Sequence, residues 1–130
     1  MEKVISEFQA TYYGENIRFF KNFAPEHYAQ LLARASCIVG NSSSAIREGS
    51  FLGTPAVNIG NRQANREQGL NVINVGYDRQ AIIEAIRWQL AQGRYPQQTL
   101  YGRGTAGQQI ADILARIEIK LQKRLALPPL

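Results

Sequence analysis

Apolar residues occur along the chain both as short continuous runs and at helical spacing, with polar, glycine-containing turns between them. Short apolar runs are typical of buried strands, whereas apolar positions three or four residues apart are typical of amphipathic helices. The pattern therefore predicts a chain of alternating helices and strands. Strands are predicted at 16–22, 37–41, 54–60 and 71–76, and helices at 1–13, 24–36, 43–52, 78–91 and from 105 through Leu121.

Residues that favour helix ends support these boundaries. Pro25 suits a first helical turn, Asp78 and Thr105 are of N-cap type, and Gly53 is suited to end a helix. Two helices also show clear apolar faces. The residues of these faces are Ile82, Ile83, Ile86 and Leu90, which we expect to point inward, and Ile110, Ile113, Leu114, Ile117 and Leu121 in the last helix.

Short apolar strands that alternate with helices predict an α/β fold, a parallel sheet covered by helices on both faces. In such sheets, ligands bind beyond the carboxyl ends of the strands, where loops lead into helices. The run GNSSSAIREGS at 40–50 occupies such a position, after the strand at 37–41 and at the start of the next helix. Its place in the fold thus favours a binding site.

The serine run and the glutamate after it suit different parts of a nucleotide. The N-terminus of a helix attracts phosphate through its unpaired N–H groups and partial positive charge, and small serines add hydroxyl donors. Glu48 lies four residues after Ser44 on the same helical face, where a carboxylate can accept hydrogen bonds from a ribose diol. The alternative is a simple serine N-cap, with Glu48 in a surface ion pair.

Two further loops follow predicted strands. GNRQANREQG at 60–69 carries Arg62 and Arg66, whose paired N–H donors could close over an anion at the helix tip. The alternative for this segment is a solvated loop. In the loop after the first predicted strand, Phe23 is a candidate to stack on a base, although apolar loop residues also commonly cover a core.

Length and charge narrow the class of protein. A chain of 130 residues fits one domain, and its single cysteine, Cys37, excludes an internal disulfide, which favours a cytoplasmic location. The first residues lack the apolar stretch of a signal peptide, and no apolar run is long enough to span a membrane. The net charge of +5 allows anionic partners. A basic nucleic-acid-binding module is an alternative, but outside KLQKR at 120–124 the basic residues are scattered.

The central part of the chain resembles the C-terminal half of UDP-N-acetylglucosamine 2-epimerases, and the hydrolysing type most closely. The stretch that carries the resemblance is CIVGNSSSAIREGSFLGTPAVNIGNRQANREQGLNVINV. The shared motifs are GNSSS followed by an Arg-Glu pair, then Gly-Thr-Pro, then an N-x-G-x-R-Q loop. YGRGTAGQQIADIL at 101–114 resembles the family's ending before its last helix. The resemblance implies a Rossmann-like sheet that forms part of the C-terminal half of a GT-B type two-domain architecture.

The resemblance also implies a UDP site. Ser42 and Ser43, with Ser44 beside them, would hold the diphosphate at the helix tip, and Glu48 would hold the ribose hydroxyls. Arg62 would reach the diphosphate or the nearby sugar. The uracil would face the stretch from Lys21 through Asn22 to Phe23, mainly through backbone groups.

The family reaction eliminates UDP from the sugar, and water then adds to the glucal intermediate with inversion at C2, which gives N-acetylmannosamine for sialic acid synthesis. The resemblance implies that this chain is a single, incomplete UDP-binding domain, without the N-terminal domain that carries the required carboxylates. We therefore expect the chain alone to be inactive, and we assign no catalytic residue, metal or cofactor. The nucleotide-binding domain of a GT-B glycosyltransferase is the alternative within enzymes.

Comparison with the whole family domain leaves two predicted strands without their usual neighbours, those at 16–22 and 37–41. Unpaired edges of buried strands are costly and promote association. Either the strand at 16–22 pairs directly with that at 37–41 in a four-stranded sheet, or a second copy of the chain covers the open edge. We expect the second arrangement, a homo-oligomer, with UDP or a UDP-sugar as the small-molecule partner and with neither nucleic acid nor membrane.

Overall fold

A computed structural model of the protein describes residues 2–12 and 16–118. The helices are α1 (Glu2–Tyr12), α2 (Pro25–Arg34), α3 (Ser43–Leu52), α4 (Arg79–Gln92) and α5 (Ala106–Leu114). The strands are β1 (Ile38–Gly40), β2 (Ala56–Ile59) and β3 (Val72–Val75). Met1, Tyr13, Leu121 and the basic segment 120–124, on which parts of the predictions fall, lie outside the described residues.

The strands form a parallel sheet in the order β1-β2-β3, so the sheet order follows the chain order. Ile38 pairs with Ala56, and Ala56 pairs with Val72. The carboxyl ends of all three strands therefore lie at the same end of the sheet. Helix α3 contacts all three strands, and α4 contacts β2 and β3. The predicted α/β fold with a Rossmann-like parallel sheet and covering helices is confirmed.

The strand predicted at 16–22 is wrong. Residues 17–20 form neither a helix nor a strand, and the sheet of the described residues begins at β1 and has three strands, so the four-stranded arrangement is not formed either. Ile17, Phe19 and Phe20 are 40%, 43% and 61% exposed. An apolar, β-prone segment becomes a strand only where a neighbour accepts its backbone hydrogen bonds, and local sequence does not supply that neighbour.

Most of the predicted helix ends are confirmed. Pro25 begins α2, Gly53 ends α3 in the left-handed conformation with φ of 66°, and Asp78 caps α4 through its side chain. Thr105 precedes α5 as predicted, but its side chain does not cap the helix. Its hydroxyl instead accepts a hydrogen bond of 3.0 Å from Gln109 Nε2, one turn into the helix.

The core is small, and it uses a different face of α4 from the one predicted. Ile82, Ile83 and Ile86 are half-buried, but Leu90 is 52% exposed, because Ala85 and Gln89 take the innermost positions. The last helix, predicted to continue through Leu121, ends at Leu114. Its apolar stripe is exposed at Ile110, Ile113 and Leu114, and Ile117 beyond its end is exposed too. Among the described residues, the buried apolar side chains are those of Leu32, Ala45, Ile46, Pro55, Ala56, Val57 and Ala85.

A buried glutamine joins α4 to the sheet. Gln89 is fully buried, and its Nε2 donates hydrogen bonds of 2.7 Å to the carbonyl of Ala56 and 2.8 Å to that of Asn71. Its Oε1 accepts a hydrogen bond of 2.8 Å from the hydroxyl of Tyr95. The two bonds to backbone carbonyls are buried and the bond from Tyr95 is partly buried, so losing the amide would remove the polar contacts that join α4 to the sheet.

A buried asparagine makes the matching connection to α3. Asn71 Nδ2 donates to the carbonyls of Ala45, at 3.1 Å, and Thr54, at 2.8 Å. Gly49 of α3 lies directly against this side chain, since a Cβ there would approach Asn71 Nδ2 to 3.2 Å. The first turn of α3 is thereby fixed relative to the start of β3.

Arg94, after α4, binds the C-terminal ends of two helices. Its guanidinium donates to the carbonyls of Ala33 and Ala35 at the end of α2. It also donates to the carbonyl of Leu52, at 3.2 Å, and to Thr54 Oγ1, at 3.1 Å, at the end of α3. Terminal helix carbonyls lack partners within their own helix, and a cation near them is favourable. Arg94 therefore holds α2 and α3 side by side.

We expect Gln89→Leu to lower the free energy of unfolding by about 1–3 kcal/mol, because it removes two buried hydrogen bonds to the carbonyls of Ala56 and Asn71. Urea denaturation followed by circular dichroism measures the change. Gln92→Leu, at an exposed position on the same helix, is the matched control and should change stability little. Equal effects of the two substitutions would show that the buried amide network contributes nothing.

Candidate functional site

The serine run forms the N-terminus of α3, directly beyond β1. Gly40 has a φ of +146°, which turns the chain out of the strand, and Ser42 is the N-cap residue. Ser42 Oγ accepts a hydrogen bond of 3.3 Å from the backbone N–H of Ser44 and lies 3.1 Å from Ser44 Oγ. The hydroxyl of Ser43 makes no hydrogen bond to a described residue, so it is available to a ligand.

The loop after β2 lies against this helix tip. Gln63 is 3% exposed, and its Nε2 donates a hydrogen bond of 2.8 Å to the carbonyl of Asn41. Arg62 Nη1 lies 3.4 Å from Asn41 Oδ1, so its guanidinium stands beside the serines, where the sequence prediction placed it. Arg66 is exposed and makes no described contact with the tip. The prediction missed Gln63, although it adjoins Arg62 in the same quoted motif.

Glu48, one turn into α3, lines an open pocket of 440 Å³. Arg47, Phe51 and Tyr101 line the same pocket. Arg47 Cζ lies 5.9 Å from the centre of the Tyr101 ring, a cation–π distance, and the Tyr101 hydroxyl donates to the carbonyl of Glu67. Tyr101 thus links the pocket to the end of the polar loop. Sequence reasoning noted the YGRG motif but did not assign Tyr101 to the site.

Lys21, Asn22 and Phe23 line a second pocket of 440 Å³, together with Pro25 and Tyr28. The Phe23 ring is stacked near that of Tyr28, with centres 6.1 Å apart. The structure does not bring these three residues into the Glu48 pocket. Helix α2 contributes to both pockets, because Ala29, which follows Tyr28, lines the Glu48 pocket.

The predicted site residues therefore fall into three groups near the carboxyl end of the strands. The serines and Arg62 share the helix tip, Glu48 lies a turn further along α3, and the Lys21–Phe23 stretch lies across the start of α2. An anion could bind at the tip through N–H and guanidinium donors, and a hydroxyl-rich group could bind at the carboxylate.

Titratable groups and metal ligands add little to this arrangement. Burial raises the pKa of the Cys37 thiol, although a hydrogen bond with the backbone of Val57 lowers it in part. A thiol held neutral in this way is a packing residue rather than a nucleophile. Within 2–12 and 16–118, no cluster of histidine, cysteine and carboxylate side chains is suited to a metal ion, and no helix is long and apolar enough to cross a membrane.

Comparison with known proteins shows the family to which a chain with this arrangement belongs. The family model described as UDP-N-acetylglucosamine 2-epimerase matches residues 1–115. The chain belongs to this epimerase family. The match runs through α1, the three strands, the serine tip and α5, and it confirms the resemblance found in the sequence.

Individual relatives of this epimerase-family chain are similar at moderate identity. A UDP-N-acetylglucosamine 2-epimerase of Neisseria meningitidis is 29% identical over 119 residues, which cover 87% of this chain and 32% of the relative. A hydrolysing UDP-N,N'-diacetylbacillosamine 2-epimerase of Legionella pneumophila is 30% identical over 107 residues, 82% of this chain and 28% of the relative. A hydrolysing GDP/UDP-N,N'-diacetylbacillosamine 2-epimerase of Campylobacter jejuni is 36% identical over 74 residues, 55% and 19% of the two chains.

The epimerase-family chain thus spans a third or less of the length of these relatives. The relatives named as hydrolysing act on diacetylbacillosamine nucleotides, and one name includes GDP beside UDP. Membership of an epimerase family follows directly from the match.

Two serine substitutions separate the structural role of the tip from a binding role. We expect Ser42→Ala to lower the free energy of unfolding by about 1 kcal/mol, because the N-cap hydrogen bond to Ser44 is lost. Ser43→Ala should leave stability nearly unchanged, since no described residue bonds its hydroxyl. Thermal unfolding of both variants measures this, and a larger loss for Ser43→Ala would contradict the assignment.

Proposed function

We propose that this chain is the UDP-binding C-terminal part of a hydrolysing UDP-N-acetylglucosamine 2-epimerase. The observation that carries the proposal is that Arg62, the Ser43 hydroxyl, which no described residue bonds, and Glu48 all lie around α3 at the carboxyl end of the strands. The family match and the nucleotide-sugar names of the relatives support it.

The diphosphate binds at the tip of α3. The N-terminal N–H groups and the helix dipole attract the anion, and Ser43 and Ser44 add hydroxyl donors at close range. Arg62 supplies a charged, forked donor from the loop that Gln63 anchors to Asn41. Because Gln63 is buried, Arg62 extends from a fixed backbone position.

The nucleoside extends from the tip toward α2. Glu48 accepts hydrogen bonds from the two ribose hydroxyls, for which an anionic acceptor is better suited than for phosphate. The base then reaches the neighbouring pocket, where Lys21, Asn22 and Phe23 offer backbone groups and an aromatic face. In this arrangement the Glu48 pocket recognises the ribose, and the pocket lined by Lys21, Asn22 and Phe23 recognises the base.

The reaction proposed for the full-length enzyme is elimination of UDP across C1 and C2 of the sugar, followed by addition of water with inversion at C2. With UDP-N-acetylglucosamine as substrate, the product is N-acetylmannosamine, a precursor for sialic acid synthesis. In this scheme the present chain holds the leaving group. Removal of the C2 proton belongs to carboxylates in a domain that faces this one across a cleft.

We expect calorimetry to detect weak UDP binding, which Ser43→Ala and Glu48→Gln each weaken by about 1–3 kcal/mol. Glu48→Gln should reduce affinity for UDP more than for 2′-deoxy-UDP, because its partner is the ribose diol. Glu84→Gln, an exposed carboxylate on α4, is the control and should leave binding unchanged. Unaltered UDP affinity in both site variants would show that the site is assigned to the wrong residues.

The isolated chain should show no epimerase activity, because one wall of the cleft and its acid–base groups are not in this domain. The test is incubation with UDP-N-acetylglucosamine and chromatographic detection of N-acetylmannosamine and UDP. A full-length family member assayed in parallel is the positive control. Sustained turnover by the highly purified 130-residue chain would disprove this part of the proposal.

A further inference from the structure

Arg47 and Glu48 line the same open pocket, yet no ion pair joins them. Consecutive residues of a helix do not face each other, so the two head groups stay apart. Among the described residues, none bonds the guanidinium of Arg47 or the carboxylate of Glu48. The N–H donors of the first and the acceptor oxygens of the second are therefore available to a ligand in this pocket.

The ring of Tyr101 restrains the Arg47 guanidinium at the pocket. Arg47 Cζ lies 5.9 Å from the centre of that ring, within the cation–π range. An exposed arginine otherwise samples many rotamers, and fixing it when a ligand binds would cost affinity. The aromatic face reduces this cost, because the guanidinium is already restrained before a ligand arrives.

Tyr101 belongs to a segment that is bonded on two sides. The backbone N–H of Gln98 donates to the carbonyl of Ser50 in α3, at 3.1 Å. The Gln98 side chain accepts a hydrogen bond of 3.1 Å from the N–H of Leu70, and the Tyr101 hydroxyl donates to the carbonyl of Glu67. These bonds attach the segment both to α3 and to the end of the loop after β2. The aromatic ring is therefore itself held in place.

A ribose diol requires both kinds of hydrogen-bonding partner. Each hydroxyl carries one donor and two acceptor lone pairs, whereas a carboxylate can only accept. Glu48 can take the two hydroxyl protons, but it leaves the hydroxyl oxygens without a donor in a pocket that Phe51 and Leu52 make partly apolar. Unmet polar groups in such a pocket cost binding free energy. A guanidinium in the same pocket supplies the missing donors, in a fork that suits two adjacent oxygens.

We propose that Arg47 donates hydrogen bonds to the ribose hydroxyls of the nucleotide, and that Tyr101 positions Arg47 for this contact. The inference rests on the proposed function, which places the ribose at Glu48. Arg47 and Glu48 together then select a ribonucleotide over its deoxy counterparts. Tyr101 acts through Arg47, and Arg62 at the helix tip remains the guanidinium that binds the diphosphate.

Calorimetry with UDP and with 2′,3′-dideoxy-UDP provides the first test. Arg47→Gln should weaken UDP binding by about tenfold and leave the affinity for the dideoxy compound unchanged, because that compound lacks both hydroxyls. Arg47→Lys keeps the charge but not the fork, so its UDP affinity should fall between those of the parent and Arg47→Gln. Arg87→Gln, at an exposed position on α4, is the matched control and should change neither affinity.

The possible outcomes separate this inference from the proposed function. If the parent chain binds no UDP, the proposed function fails and the inference fails with it. If the parent binds UDP and Glu48→Gln weakens that binding while Arg47→Gln does not, the inference alone is overturned. Equal losses with UDP and dideoxy-UDP, or weaker binding of inorganic pyrophosphate by Arg47→Gln, would make Arg47 a phosphate ligand and would also overturn it.

A double-mutant cycle tests the positioning role of Tyr101. Tyr101→Leu removes the ring and should weaken UDP binding, whereas Tyr101→Phe keeps the aromatic face and should weaken it less. In the Arg47→Gln background, Tyr101→Leu should have no further effect, because the residue through which Tyr101 acts is gone. Additive losses would contradict the positioning role. Circular dichroism checks folding, and Tyr101→Gln replaces Tyr101→Leu in the cycle if the leucine variant does not fold.

Discussion

Burial of amide side chains, rather than of large apolar ones, is the constraint on which this domain depends. Gln89 and Asn71 are both fully buried, and between them they bond carbonyls of α3, of β2 and of the segments that enter β2 and β3. Backbone carbonyls in a dry core require such partners. Each amide fits one spacing of helix and strand, so it selects a unique packing where a set of aliphatic contacts would tolerate several.

The position of the candidate site follows from the same contacts. The Asn71 side chain donates a hydrogen bond to the carbonyl of Ala45, in the first turn of α3, and so fixes the serine tip to the segment that enters β3. The Gln63 side chain donates to the carbonyl of Asn41 and so fixes the loop that carries Arg62 to the residue before the serine run. A helix tip positioned by bonds on both sides can receive an anion without reorganising first, and preorganisation is a main source of affinity at small sites.

The sequence predicts the parts of this fold whose signals are local. The strand–serine–helix junction was predicted correctly, because an apolar run, an N-cap serine and Gly53 each act within a few residues. The strand at 16–22 and the inward position of Leu90 were not, because a ladder partner and the rotation of a helix depend on distant residues. For the site, the placement of Arg62 followed from strand order, whereas Tyr101 came from a loop more than fifty positions beyond Glu48.

Arg94 has a consequence for the order in which this domain becomes complete. The carbonyls that it binds at the end of α2 are 59 and 61 residues earlier in the chain. While the polypeptide is being synthesised, both helices can form, but the carbonyls of Ala33, Ala35 and Leu52 have no bond from Arg94 until that residue has emerged. Long-range contacts of this kind close late, after the local helices and turns. The side-by-side placement of α2 and α3, which the buried hydrogen bond from the Thr54 hydroxyl to the carbonyl of Leu32 already favours, is thus completed by a residue made well after both helices.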